Sequence, residues 1–340
     1  MGFLDREKER QAKIRRKLFS PVAQIQGQIR GSTREFALNE SQAHENLQKD
    51  LRDAALVYFK ERDIPWHMAT HDSETGEALP TNHLCSSQVN CVNSLWPFVV
   101  HSELQKRIMG IYYPEMAKPL EMVADGPQMG DHYPFLSFEW IGKQNYLGEV
   151  GDRFRKGGER QRGALATSAD FAFRFRRHDG RIQLVLGEWK YTESYPNKEP
   201  DTNETRRRVY EESFDRWKAQ NPDLPEYEHF FVEPFYQLMR MTLLAKEMER
   251  AKETGTGEME ADVVTVCLIA PSANEDYTKR VTSAGLKPYG NTVHSIWSNL
   301  MGDKFRVIPT ESLLTASETI AEGKWNDWAR YMTTRYGWWR

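Results

Sequence analysis

Apolar positions recur at helical spacing through residues 43–62, where Leu47, Leu51, Ala54, Ala55, Tyr58 and Phe59 mark one face. Asp63-Ile64-Pro65 stops that helix, and the polar stretch 69–80 reads as a loop. A second helix begins with Ser86 or Ser87 as its cap, carries Val92, Leu95, Trp96 and Val99 as its stripe, and is expected to kink or divide at Pro97. Strand patterning then takes over. YPFLSFEWI, which contains Glu139, reads as a strand, and SADFAFRFRR reads as another with Asp170 at its start. In RIQLVLGEWKYTE an apolar run (Leu184, Val185, Leu186) turns abruptly charged at Glu188 and Lys190. Asp179-Gly180 between the last two runs is a tight-turn signal, so they are expected to fold as an antiparallel hairpin.

Further along, EHFFVEPFYQLMRMTLLAKEMERA predicts one long helix buried on more than one side, with Gln237 and Arg240 as its polar residues near the centre. VVTVCLIAP (263–271) has the continuous apolar character of an inner strand, and FRVIP (305–309) is a fainter strand signal. KWNDWARYMTTRYGWW predicts a terminal helix packed back onto the body. The order helix, three strands, long helix, strand predicts an α/β fold in which a mixed sheet carries helices on both faces. A basic helical arm over 1–42 is expected to precede a single domain, 43–340, with its core at about 85–275 and a C-terminal helical extension.

Composition narrows the function classes. With 340 residues the core is ample, and a net charge of −3 means that any nucleic-acid contact must come from local patches. Two such patches exist. Residues 1–31 hold eight Lys and Arg against three acids, as either a solvated arm or one that contacts phosphates. Residues 151–163 hold four glycines and five basic residues against two acids, as either a plain surface loop or one that closes over a polyanion through Arg153, Arg155, Arg160 and Arg162. Three cysteines argue against a disulfide scaffold, with small-residue packing favoured over zinc for Cys85 and Cys91. The charged N-terminus lacks an apolar leader and no stretch approaches about 20 apolar residues. A cytoplasmic protein with no membrane partner is expected.

The candidate chemistry lies in the hairpin. Side chains two apart on a strand share a face, so Glu188 and Lys190 point the same way, and hairpin pairing sets Asp170 beside Glu188. A carboxylate and an ammonium at the end of a buried strand are costly unless a metal or substrate uses them. Two carboxylates and a phosphate oxygen suffice for Mg²⁺, with Mn²⁺ able to substitute, and a neighbouring lysine can orient the attacking water or stabilise developing charge. The plain alternative is a solvated hairpin with an E-x-K pair.

In order along the chain stand Tyr58-Phe59…Ile64…Trp66-His67, Ser86-Ser87-Gln88…Cys91…Asn93, Thr167–Asp170, Glu188-Trp189-Lys190-Tyr191-Thr192-Glu193, and Phe231…Pro234–Arg240. In these motifs, over roughly residues 50–275, the sequence resembles the PD-(D/E)XK nuclease superfamily, and within it a branch of restriction endonucleases with SSQxxCxN and EWKYTE motifs. Ala169 stands where the superfamily has proline. The resemblance implies a restriction-endonuclease-like core, with Asp170 and Glu188 as metal ligands and Lys190 as the catalytic lysine. It also implies a further upstream acid, for which Glu139 and Glu149 compete; Glu149 is favoured because the loop after it leads into the Asp170 strand. Gln88, Asn93, Gln237 and Arg240 are weaker substrate-side candidates. The expected activity is metal-dependent endonucleolytic cleavage of double-stranded DNA, in defence against foreign DNA. A homodimer or partner subunits would suit double-strand cutting and recognition, since no Walker A loop or separate recognition domain is present. Two alternatives stand beside it: a catalytically silent binding module of the same fold, and an RNA or nucleotide phosphodiesterase.

Overall fold

The structure, a computed structural model, describes residues 1–123, 125–149, 160–162, 166–195 and 203–340. Helix α1 (Phe3–Leu18) is followed by a small hairpin of β1 (Gly27–Ile29) and β2 (Ser32–Arg34), by α2 (Arg52–Glu61), and by a second small hairpin of β3 (Thr70–His71) and β4 (Ala78–Leu79) within the expected 69–80 loop. Helices α3 (Ser87–Val100) and α4 (Ser102–Met109) lead to β5 (Met116–Leu120), β6 (Leu136–Trp140), β7 (Ala169–Arg177) and β8 (Ile182–Trp189). Then come α5 (Glu204–Gln220), α6 (Phe235–Glu253), β9 (Val263–Ala270), α7 (Glu275–Thr278), α8 (Val293–Met301), β10 (Phe305–Pro309), α9 (Thr310–Ile320) and α10 (Lys324–Tyr336).

The main sheet is mixed, as expected: β10, β9 and β8 run parallel, and β7 pairs antiparallel with β8. Strands β5 and β6 share the other edge of β7, β5 along Arg174–Arg177 and β6 along Ala169–Phe173. Alternation sends Phe171, Phe173, Phe175, Val185 and Trp189 into one core, with residues of α2, α3, α4 and α10. Ala172, Leu184, Leu186, Val264 and Val266 enter the other, with residues of α5, α6 and α8. Every residue of β9 is buried, as its continuous apolar run requires.

Several local expectations are corrected. Pro97 does not divide α3; the break falls at His101, whose ring nitrogen accepts from Leu104 N–H at 3.1 Å and caps α4. The long helix begins only at Phe235, because Pro234 lacks an N–H and the preceding Tyr227–Phe230 turn is 3₁₀. The N-terminal segment is not a free arm. Phe3, Glu7, Gln11, Ile14 and Arg15 of α1 are buried, Glu7 accepts from the Tyr191 hydroxyl, and Gln11 donates to the Arg335 carbonyl at 2.9 Å in α10. Among the described residues no helix is long and apolar enough to cross a membrane.

Candidate active site

The hairpin register assembles the site. The last registered pair of β7 and β8 is Phe171↔Gly187, so one step further Asp170 faces Glu188. Gly187 has a steric reason: a Cβ there would meet the Phe171 ring at 2.1 Å. On the other side of β7, Glu139 lies between the pairs Phe138↔Phe171 and Trp140↔Ala169, abreast of Asp170. Three carboxylates thus form a row across β6, β7 and β8. Glu139 holds left-handed backbone at φ 48°, rare for a residue with a Cβ and costing about 1–2 kcal/mol. The twist changes the strand's facing, because Phe138 packs in one core and Trp140 in the other.

Hydrogen bonds fix each member. Asp170 accepts from Trp189 N–H at 2.7 Å, tying the two strands at the point where charge collects. Glu139 accepts from Gln88 Nε2 at 3.0 Å and from Ser168 Oγ at 3.2 Å. Gln88 in turn donates to the Pro65 carbonyl at 3.0 Å and accepts from His67 N–H at 2.8 Å, so the first turn of α3 positions Glu139. Lys190 Nζ lies 2.5 Å from Glu188 and 2.9 Å from Gln237 Oε1, which also accepts from Tyr195 at 3.2 Å. Glu188 and Lys190 are 4% and 5% exposed, so this is a buried pair in the wall of a cleft.

Burial and like charge act together here. Desolvation first, then Glu188, push the Asp170 carboxyl well above its ordinary range, against the opposing pull of Lys190. Glu139 is raised chiefly by burial, with Gln88 and Ser168 drawing it back. Burial alone would lower the Lys190 ammonium, yet Glu188 foremost holds it well above its usual value. Asp170, Glu188, Glu139 and Lys190 open into one cavity of about 490 Å³, also lined by Glu193 and by Ser86, Ser87 and Gln88 of the start of α3. Among the described residues no group of three or more His, Cys, Asp or Glu is spaced to hold a metal ion.

The remaining candidates fall elsewhere. Glu149, the favoured upstream acid, lies outside the cleft: it accepts from Thr167 N–H and Oγ1 at 2.7 and 2.6 Å and from Tyr210 at 2.8 Å, and pairs with Arg240 at 3.6 Å. Glu139 is the acid beside Asp170, a correction that follows from register. Arg240 donates to Thr167 and Ala166, bracing the entry to β7 rather than facing the cleft. Asn93 is fully buried, receiving Gln48 N–H at 2.8 Å and donating to the Asn46 carbonyl and Tyr336, so it is a core amide. Arg160 donates to the carbonyls of Ile141 and Gly142, and Arg162 to those of Glu139 and Arg62 and to Asp125. Both clamp the end of β6 where phosphate contacts were expected. Arg153 and Arg155 lie outside the described residues. The role of Glu139 had a signal in the chain: β6 and β8 both run from apolar residues into the dipeptide Glu-Trp.

The comparisons with known proteins agree with this picture at the level of family. No curated protein and no solved structure matches the chain. The family model described as restriction endonuclease associating with ARP matches residues 8–337, spanning every strand of the main sheet and all the cleft residues above. On that match the chain belongs to the restriction endonucleases associating with ARP, and its function is of the nuclease type.

Proposed function

We propose that the protein is an endonuclease of the PD-(D/E)XK kind that hydrolyses phosphodiester bonds of double-stranded DNA with Mg²⁺, Mn²⁺ serving in its place. The observation that supports this most is the row Glu139, Asp170, Glu188 with Lys190 in one cleft. The chemistry of the donors suits the ion, although as they stand no three of them are spaced to hold it. All three acids offer hard oxygens, and with one lysine against them the local excess of negative charge is what a divalent cation offsets. Asp170 and Glu188 would hold it, with Glu139 as the further acid and the remaining positions left to phosphate oxygen and water. Bound there, the ion supplies an activated water and charge neutralisation on the phosphate.

The chain's own residues do the rest. Lys190 Nζ, kept as an ammonium by Glu188 and aimed by Gln237, donates a hydrogen bond to the attacking water or the phosphate oxygen and stabilises charge as it develops. Gln88 and Ser168 hold Glu139 in place, so the geometry exists before substrate arrives. The start of α3 opens into the same cleft, and a helix N-terminus favours an anion such as phosphate. Cleavage of foreign DNA is the role that suits a restriction endonuclease, and sequence recognition would be shared with a partner subunit; the family description itself names only an association with ARP. Supercoiled-plasmid cleavage with Mg²⁺, Mn²⁺ or EDTA, comparing wild type with Lys190→Ala, tests the reading. Metal-dependent nicking that is lost in Lys190→Ala is expected; an intact plasmid at high enzyme concentration that is still bound would favour a silent binding module.

A further inference from the structure

The cleft contains more than a backbone-cutting site needs. A sugar–phosphate backbone is polar and charged, and gripping it calls for an open polar groove. Here the cavity that holds the acids is also walled by Phe59, Met68, Cys91, Val92 and Phe138. The only part of a nucleic acid that gains by leaving water for such a wall is the face of a base. About 490 Å³ is the size of a small-molecule site and admits one nucleotide but no duplex.

We propose, resting on the nuclease reading above, that this cavity takes one nucleobase swung out of the helix beside the scissile phosphate, and that His83 reads its edge. The acids and the apolar wall line one continuous space, so an extruded nucleotide would keep its phosphate near Lys190 while its base is buried. His83 lines the same cavity and is held as a donor. Its Nδ1 accepts from Cys85 N–H at 3.0 Å, which leaves the proton of the neutral ring on Nε2. Burial, aided by Lys8, keeps it neutral by pushing its pKa down to about 4. The Phe36 ring, 5.0 Å away between centroids, braces the imidazole, and Thr81 Oγ1 accepts from the His83 backbone N–H at 3.3 Å. One neutral, oriented N–H meets a hydrogen-bond acceptor on a base edge and carries no charge that would attract phosphate instead.

Two measurements on the full-length protein decide the matter. Sequencing the ends produced by plasmid cleavage should show a base bias at one position next to the cut, and His83→Phe, which keeps a ring but loses the donor, should flatten it while cutting still requires Lys190. Ligand-observed NMR should show at least one of the four deoxynucleoside 5′-monophosphates binding roughly tenfold or more tightly than 2-deoxyribose 5-phosphate, the margin that stacking of one base supplies. Unbiased ends, or a bias that survives His83→Phe with an unchanged melting temperature, overturn the pocket and leave the nuclease standing. If no variant cuts, the nuclease reading fails on its own account. The NMR comparison then still decides the pocket, because equal binding of sugar phosphate and nucleotides overturns it.

Discussion

Two buried clusters of charge flank Glu139, and they are built on opposite plans. On one side Asp170, Glu188, Glu139 and Glu193 line a cleft with Lys190 as the one ammonium among its described lining residues. On the other, Arg62 and Arg162 gather around Asp125. There the guanidinium groups are consumed by protein: Arg62 donates to the carbonyls of Asp125 and Pro127 and stacks 3.9 Å over the Tyr58 ring, and Arg162 donates to the carbonyls of Glu139 and Arg62. Burial is similar in both. What differs is whether the charge is answered inside the fold. The arginine cluster is answered by carbonyls and serves as a clamp, whereas the acidic row keeps an excess of like charge facing open space. Buried like charge left uncompensated is the mark of a site that an ion or substrate completes.

The largest expected effect breaks the acidic cluster at its lysine. Lys190→Ala in Mg²⁺ should lower the rate of plasmid cleavage by at least about a hundredfold, the usual scale for losing one donor to transition-state charge. The melting temperature should change little, because the ion then answers Glu188. A rate within tenfold of wild type would remove Lys190 from the chemistry. The matched cluster should respond in the opposite sense. Arg162→Ala takes the ion-pair partner from Asp125, which keeps the Tyr58 hydroxyl, and a donor from two carbonyls, so it should cost about 2–3 kcal/mol in denaturant unfolding and reduce cleavage only as far as Glu139 loosens. An unchanged midpoint would show that the clamp contributes nothing to stability.

How far this contrast was legible in the chain depends on separation along it. Asp170, Glu188 and Lys190 could be placed together because a tight turn at Asp179-Gly180 and period-two alternation fix a local hairpin register. The mixed sheet and the inner position of β9 followed from strand patterning for the same reason. Glu139 could not be chosen over Glu149, since the pairing of β6 with β7 spans a long connection and nothing local sets its register. Glu149 sits nearer in sequence, yet its oxygens are taken by Thr167 and Tyr210. Charge counting misled where partners are distant. Arg160 and Arg162 look like phosphate contacts until the carbonyls of Glu139, Ile141 and Arg62 fold onto them. The basic 1–31 segment likewise gave no sign that Glu7 and Gln11 reach Tyr191 and Arg335.

The contrast also bears on the metal-free state. In EDTA, Asp170→Asn removes one of the like charges while the amide oxygen still accepts from Trp189 N–H, so the protein should gain stability, read as a higher denaturant midpoint. Mg²⁺ at a hundred times its Kd should stabilise wild type by about 2.7 kcal/mol and leave Asp170→Asn nearly unmoved. Destabilisation by Asp170→Asn in EDTA, with Mg²⁺ still raising its melting temperature, would assign Asp170 to the structural plan of the arginine cluster.

The smallest effect separates either cluster from the general cost of buried titration. His294 lies far along the chain in α8, its Nε2 buried without a hydrogen-bond partner, and burial pushes its pKa from 6.5 down to about 4. With the folded pKa below the unfolded one, the unfolded chain binds more protons between those values. The contribution is therefore fully present above about pH 6.5 and is lost as pH falls toward 4. Between pH 7 and 5.5 this amounts to about 1 kcal/mol. His294→Gln should remove that share of the slope from the unfolding curve in EDTA and leave the comparable share of His83, which burial also pushes down to about 4. Protonation of the acidic row works in the other direction, since Asp170 and Glu139 have raised pKa values and relieve one another's repulsion when neutralised. A protein that still loses stability on acidification after His294→Gln, His83→Phe and His44→Gln together would mean that the acidic row carries less uncompensated charge than its geometry implies.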